Sequence, residues 1–527
     1  MSPSTKIEQD TPGAEFRFSR RDALAASALG VAAGIGATGA TRASAQATPA
    51  ASTEDWSWLD QAVEDGRKLF GIVGTAVAVV NKSGIIHSIT SGVRDQTTQQ
   101  PVTTQTLFSV GSTTKSMTSL LVATYVDEGA LDWDQPVCEV WPEFRAPSEE
   151  LTQTMRVRDL MGMDSGIGEP SAATFHFGEY TALELVKSLA SLDVIAPPQT
   201  TFYYNNAVYA AGGYLPFLNA SGDVQLETAY ASAISDRVFA PVGMLNAKLT
   251  TDPRPLTDDF AVGNEFNLVQ GITGVPWGFI GSYTPAGAAM ASLDDMAHYI
   301  SMQLGAGISV SGNRVVSSEN LKACWEPHID TPSMKEHDPD LVSAGYAMGW
   351  LTQTYRDGRT LSWHNGGIDG FISYMGFFKA DDLGLVVLTN NGMSANGSSF
   401  YPYLLNTLLT TLYGLNEGAN EALIATHEAV DQQRQSLAAS ATAVSKETIS
   451  PYLGYYERGY VLTFDDQDVL WLNQGRRSFR IMALPDGSYV IASGIISGNP
   501  VKFSTDANGD AWLEIEQIET VRWLQGL

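Results

Sequence analysis

The strongest constraint in this chain is the octapeptide Phe108-Ser109-Val110-Gly111-Ser112-Thr113-Thr114-Lys115, where a serine precedes a lysine by three residues at the start of an apolar segment. At that spacing two side chains share one helical face, close enough for the amine to take the hydroxyl proton. A serine hydroxyl is a poor nucleophile at neutral pH and needs a base within hydrogen-bond reach. Lys115 serves as that base only if it is largely neutral, which burial in an apolar helix core achieves. The following residues fit such a setting. Met117, Leu120, Leu121, Ala123, Thr124 and Tyr125 give apolar contacts on several sides of a helix predicted from near Ser112 to about Glu128. No other lysine of the chain has a serine three residues earlier.

Two further elements follow in order. Phe202-Tyr203-Tyr204-Asn205-Asn206 supplies a Tyr-x-Asn, and Trp363-His364-Asn365-Gly366-Gly367 supplies a His-x-Gly before a second glycine. Smaller matches are Asp127-Glu128-Gly129-Ala130-Leu131, Ser165-Gly166-Ile167, Pro285-Ala286-Gly287, Tyr346-Ala347-Met348-Gly349-Trp350 and Leu388-Thr389-Asn390-Asn391. Together they resemble the active-site motifs of the serine β-lactamases and penicillin-binding proteins, in the branch with class C β-lactamases, D,D-carboxypeptidases and esterases. The resemblance runs from about residue 55 to about residue 415.

That resemblance implies an α+β fold: a five-stranded antiparallel sheet flanked by helices, plus a mostly helical lobe, with the active site between them. It makes Ser112 the nucleophile, and Lys115 or Tyr204 the base or proton relay. Tyr203 with Asn205 fits the same pattern one residue earlier, but Phe202 stands where the family carries an aromatic two before its tyrosine, which favours Tyr204 with Asn206. Asn206 is expected to donate to the substrate amide or to hold Lys115. His364, on the strand lining the cleft, is expected to hold a polar substrate group or shuttle a proton. Near its ordinary pKa of about 6.5 it is mostly neutral at pH 7 and attracts a carboxylate less than a lysine does. Asn365 and Gly366 are expected to contact substrate, and the Gly367 and Ser112 amides to form the oxyanion hole. Met163-Asp164 stands where the family often has His-Thr before Ser165-Gly166, so packing around that loop is expected to differ.

Charge and composition narrow the partners. A net charge of -27 over 527 residues, with no basic cluster, argues against nucleic acid or an anionic membrane surface. The implied partner is a small-molecule or peptide substrate. The seven histidines are scattered with no His-Glu-x-x-His, which predicts no catalytic metal, and no cofactor is implied. Cys138 and Cys324 allow one disulfide or two free thiols. Residues 1–47 read as a twin-arginine export signal: Ser19-Arg20-Arg21, a weakly apolar run from Ala23 to Ala40, then small residues at Ala43-Ser44-Ala45-Gln46-Ala47. The run is too short and too poor in leucine to span a membrane well. An exported bacterial protein, periplasmic or extracellular, is therefore expected.

The rest of the chain divides by pattern. Trp56 to Leu69 is amphipathic, and Gly74 to Val80 with Ile85 to Thr90 flank a hairpin signal at Asn81-Lys82-Ser83-Gly84. From Gly345 to Asn391 strands are expected at Tyr346 to Thr354, Thr360 to His364, Gly370 to Lys379 and Leu383 to Leu388, joined through Asp357-Gly358 and Asp381-Asp382. The hydrolase domain is placed at 55–415 and a helical or loose linker at 416–446. Over 447–527, turn signals at regular intervals predict roughly eight strands in a small antiparallel barrel or sandwich, similar to the lipocalin-like domain of some family members. The expected function is an exported serine hydrolase acting on an amide or ester carbonyl through a Ser112 acyl-enzyme, as peptidase, D-amino-acid amidase or esterase. The alternatives are a β-lactamase and a non-catalytic penicillin-recognising or scaffold protein.

Overall fold

A computed structural model describes residues 55–526 other than 170–179, 220–224, 251, 278–279, 476 and 517. The expected export signal lies outside the described residues. The chain enters on helix α1 (Ser57–Leu69), whose buried Leu59, Ala62 and Val63 form the apolar stripe expected of its amphipathic pattern. A hairpin follows, β1 (Gly74–Asn81) and β2 (Gly84–Gly92), in the predicted place.

The chain returns to the same sheet only after the helical middle, through β3 (Ile329–Asp330), β4 (Leu341–Tyr346), β5 (Leu351–Tyr355), β6 (Thr360–Ile368), β7 (Phe371–Phe378) and β8 (Leu383–Thr389). The order is β2-β1-β8-β7-β6-β5-β4-β3, antiparallel throughout, with Thr75 opposite Thr389 where the two ends of the domain meet. The sheet thus has eight strands where five were expected. One reason is local: the run from Tyr346 to Thr354, expected as one strand, reverses at Ala347-Met348-Gly349-Trp350. Gly349 takes φ +78° there, and Ala347 N–H closes the turn on the Trp350 carbonyl at 2.8 Å. Short β3 adds a further strand at the edge.

Strands β1, β7 and β8 are buried at almost every position, because helices cover both faces. One side carries α1 and the long helix Gly397–Tyr413, and the other carries Leu293–Leu304, started by a Ser292/Asp295 capping box. The helical lobe is built around α2 (Thr114–Asp127), where every residue from Thr114 to Thr124 is buried. Its hydroxyls find acceptors inside the protein: Ser116 on Thr113 O (2.9 Å), Ser119 on Met348 O (2.6 Å) and Thr118 on Pro285 O (2.6 Å). Cys138 and Cys324 are both free thiols.

The expected linker contains a 22-residue helix, Ala419–Ser440, and it is docked rather than loose. His427 meets the Leu69 carbonyl at 3.1 Å and Arg434 lies over the Phe266 ring. Beyond it, eight antiparallel strands from Gly454–Tyr456 to Glu519–Gln525 close into a barrel. Alternate residues such as Leu470, Leu472, Leu513 and Ile515 point inward and fill it.

The barrel rests on the larger domain. Met482, Val490 and Ala492 pack with Leu268 of the hairpin Asn264–Asn267/Gly271–Gly274, and Leu268 N–H donates to the Ala492 carbonyl at 2.8 Å. Arg477 Nη2 donates to Asp369 Oδ2 at 2.6 Å, with side-chain exposures of 19% and 13%. Asp369 lies in the β6–β7 turn, so the barrel holds the end of the strand that carries His364 to Gly367. Arg477→Ala should leave the Asp369 carboxylate half-desolvated without its partner, at a cost of roughly 1–3 kcal/mol. A lowered urea midpoint checks this; an unchanged one would show that the ion pair is solvated in solution.

Candidate active site

Ser112 is presented by an abrupt change of backbone. Phe108–Ser109 pairs with Ala289–Ala291, Val110 N–H donates to the Ala289 carbonyl at 3.0 Å, and the chain then turns into the tight helical turn Gly111–Thr113 that opens α2. Gly111 takes φ +52°, and a Cβ there would meet Gly367 N at 3.0 Å, so this position needs glycine on both counts.

Lys115 is fully buried, and its amine has three partners: Ser112 Oγ at 3.1 Å, Asn206 Oδ1 at 2.7 Å and the Ala286 carbonyl at 2.8 Å. Burial lowers its pKa to about 7, against the opposing pull of the Glu169 carboxylate. A neutral amine has two hydrogens and one lone pair. The Asn206 and Ala286 oxygens only accept, so they take the two hydrogens. The lone pair is left facing Ser112, the one partner that can donate.

Tyr204 and Asn206, rather than Tyr203 and Asn205, stand at this amine. Lys115 Nζ lies 4.7 Å from the Tyr204 ring centroid. Asn205 instead caps the helix Asn206–Tyr214 through Val208 N–H and donates to the Ile167 carbonyl. Burial drives the Tyr204 pKa far above the usual phenol range, and the adjacent Ser112 hydroxyl pulls it back only in part. At neutral pH Tyr204 is therefore a protonated phenol, not a phenolate. In the loop before it Met163, at φ +57°, accepts Tyr203 N–H on its carbonyl (2.8 Å) and Asn205 N–H on its sulfur (3.1 Å). Buried Asp164 is pushed up to about 7 by desolvation and by Asp159.

The third element lies on β6. Pairing with β5 ends at Trp363 opposite Leu351, which leaves the backbone edge from His364 onward free of β5 and turned to the Gly111–Thr113 turn that carries Ser112. A Cβ on Gly366 would meet Val110 O at 1.9 Å, Ser373 Oγ at 2.7 Å and Ser112 N at 2.9 Å. The Gly366 and Gly367 backbone therefore lies directly against Gly111 and Ser112. His364 is fully buried, and both ring nitrogens are engaged, Nδ1 with the Asn365 carbonyl at 2.5 Å and Nε2 with the Tyr346 hydroxyl at 3.3 Å. Burial and Lys115 push its pKa down to about 3, so it is neutral throughout the ordinary pH range. Its ring lies beside Tyr204, centroids 6.3 Å apart, and Tyr346 meets Tyr204 edge-on. Asn365 points to the opposite face of the sheet, where its side chain reaches the Tyr401 hydroxyl. Only its backbone faces the cleft edge.

Three participants were not singled out from the sequence. The Ala286 carbonyl belongs to a motif already noted, but a backbone acceptor leaves no residue signature. Tyr346, which holds His364, likewise sits in a noted motif without an obvious polar task. Glu169 follows the Ser165-Gly166-Ile167 match with no motif of its own. Its Oε2 accepts Asn206 N–H at 2.7 Å and its Oε1 accepts Asn206 Nδ2–H at 3.3 Å. The available signal was a lone carboxylate just after a family motif.

Residues 59–399 match the family described as Beta-lactamase. The chain belongs to that family. Among curated relatives it is 27% identical to an unguisins hydrolase of Aspergillus campestris over 58% of this chain and 57% of the relative, and 27% identical to a second from Aspergillus violaceofuscus over 64% and 62%. The chain thus spans about three fifths of the length of these hydrolases. It is also 27% identical to penicillin-binding protein 4 of Amycolatopsis lactamdurans, over 65% of this chain and 87% of the relative. Two solved structures share the fold: an octameric penicillin-binding protein homologue from Pyrococcus abyssi (TM-score 0.57, 20% identity, 89% of this chain and 100% of that one) and SurE with D-Leu (0.52, 18%, 89% and 99%).

Because Gly366 has no room for a side chain, Gly366→Ala should displace the strand from Ser112. Labelling of Ser112 by a fluorophosphonate should fall by about 100-fold or more, as when an oxyanion donor is lost, in a protein whose circular dichroism is unchanged. Labelling at the wild-type rate would mean that this contact does not shape the site.

Proposed function

We propose that this chain is a serine hydrolase that attacks amide or ester carbonyls through a Ser112 acyl-enzyme, acting as a peptidase, D-amino-acid amidase or esterase. The observation that carries the proposal is the Lys115 amine: buried, drawn toward neutrality, and held by two pure acceptors so that its lone pair faces Ser112 Oγ. In this reading Ser112 Oγ bonds to the carbonyl carbon as its proton passes to Lys115 Nζ. The carbonyl oxygen, now negative, is received by the Ser112 and Gly367 amides. As the bond to the leaving nitrogen or oxygen breaks, that atom takes a proton through Tyr204. Water then attacks the acyl carbon and loses a proton to the same amine, and Ser112 regains its hydrogen. His364 acts here by holding Tyr346 and Tyr204 in place, since its own nitrogens are engaged and uncharged.

Relatives described as an unguisins hydrolase and a penicillin-binding protein support a hydrolytic or acyl-transfer role over a passive scaffold, and a scaffold has no use for a desolvated lysine. The twin-arginine pattern of residues 1–47 supports a reaction outside the cytoplasm; replacing Arg20 and Arg21 by lysine should leave the protein in the cytoplasmic fraction, and unchanged export would remove the twin-arginine route.

The activity is tested with p-nitrophenyl acetate, a D-alanyl p-nitroanilide and nitrocefin. Turnover of the ester or D-amide that exceeds nitrocefin cleavage and is abolished in Ser112→Ala is expected; dominant nitrocefin turnover would make the chain a β-lactamase. Since the active lysine is the neutral one, kcat/KM should rise with pH through about 7, where Lys115 loses its proton. Lys115→Ala should cost roughly 100- to 10,000-fold, the range for losing a general base. A profile flat from pH 5 to 8 would reject Lys115 as the base.

A further inference from the structure

We infer that Glu169 is a positioning residue for the nucleophile: it locks the Asn206 amide so that its oxygen, and not its nitrogen, faces Lys115, and its charge sets how readily that lysine gives up its proton. The inference rests on the serine-hydrolase reading for its consequence in catalysis, but its geometry is independent of the substrate.

An asparagine amide presents an oxygen on one side and an NH2 on the other, and nothing intrinsic decides which faces a given neighbour. Here Glu169 decides. Its two carboxylate oxygens accept both the backbone N–H and the side-chain Nδ2–H of Asn206. The amide nitrogen is thereby committed to Glu169, which leaves Oδ1 for Lys115 Nζ at 2.7 Å. Were the amide reversed, its NH2 would face the amine and compete for the lone pair that Ser112 needs.

The carboxylate also acts on Lys115 through space, raising its pKa while burial lowers it. Desolvation lifts Glu169 itself to about 7. Among the described residues, the other titratable groups around the pair are Tyr204, Tyr209, Tyr283 and His364. Burial raises the three phenols far above neutrality, and His364 lies at about 3. Lys115 and Glu169 are therefore the two groups of this cluster that exchange protons near pH 7, and they do so as a coupled pair.

Two measurements test this on the full-length chain. The first is the titration of the Lys115 Cε resonance in protein with 13C-labelled lysine, assigned by its loss in Lys115→Arg. The second is the pH dependence of fluorophosphonate labelling of Ser112. Removing the negative charge removes the influence that raises the Lys115 pKa, so in Glu169→Gln the Lys115 titration should move down by about one pH unit, as expected for a strongly coupled pair. The acid limb of labelling should move with it. The plateau rate should fall about tenfold, equivalent to one lost hydrogen bond of about 1.4 kcal/mol, because a glutamine puts an NH2 where one of the two accepting oxygens stands. Glu169→Asp keeps the charge, so its titration should stay within a few tenths of wild type even where the rate falls. A purely structural role would lower the rate in both variants and move neither titration. Titrations and limbs that superpose in wild type and Glu169→Gln overturn the inference. If wild-type Ser112 takes no label at any pH, the hydrolase reading fails instead, and the Lys115 resonance still decides the role of Glu169.

Discussion

The structure turns on the desolvation of one amine. A lysine carried into the centre of a domain has to lose its charge or be fully hydrogen-bonded, and Lys115 sits on a helix whose residues from Thr114 to Thr124 are all out of solvent. Much of the helical lobe can be understood as the supply of acceptors to that helix. Ala286 gives its carbonyl to the amine, Pro285 to Thr118, and Met348 to Ser119.

Next to this lobe the sheet supplies an open backbone edge. It is closed by pairing the N-terminal hairpin with the last strand of the domain, Thr75 opposite Thr389, so strands far apart in sequence become neighbours. Its middle strand β6 loses its partner after Trp363, and the freed edge faces the turn that carries Ser112. A serine on a helix start and amides on a strand edge free of β5 then meet with only glycines between them. The barrel adds a hold on the far end of that strand, through Arg477 and Asp369 and through the backbone bond between Leu268 and Ala492. A domain distant in sequence is thus part of the support of the cleft.

The helix of Ser112 and Lys115, the first hairpin and the strands of the C-terminal half were legible because apolar periodicity and turn residues are local signals. The strand count was not. Tyr346 to Thr354 reads as one apolar run, and only its fold shows Gly349 at positive φ turning it back on itself. The helix Ala419–Ser440 was legible as polar and alanine-rich, but its docking through His427 and Arg434 depends on partners hundreds of residues away. On β6, His364, Asn365, Gly366 and Gly367 form one motif in sequence. A strand sends alternate side chains to opposite faces, which separates His364, beside Tyr204, from Asn365, beside Tyr401.

By itself the sequence determined the chemical inventory: a serine and a lysine one helical turn apart, a tyrosine with a nearby asparagine, and glycines where backbone must approach backbone. These are legible because spacing along a helix or strand fixes relative position over a few residues. Tertiary structure alone decided protonation and contacts. It set Tyr204 rather than Tyr203 at the Lys115 amine, tied a neutral His364 to Tyr346, and brought Glu169 onto the amide that holds Lys115. The reason is physical: a pKa and a hydrogen-bond direction depend on burial and on the nearest opposing groups, and those are set by parts of the chain that meet only when it folds.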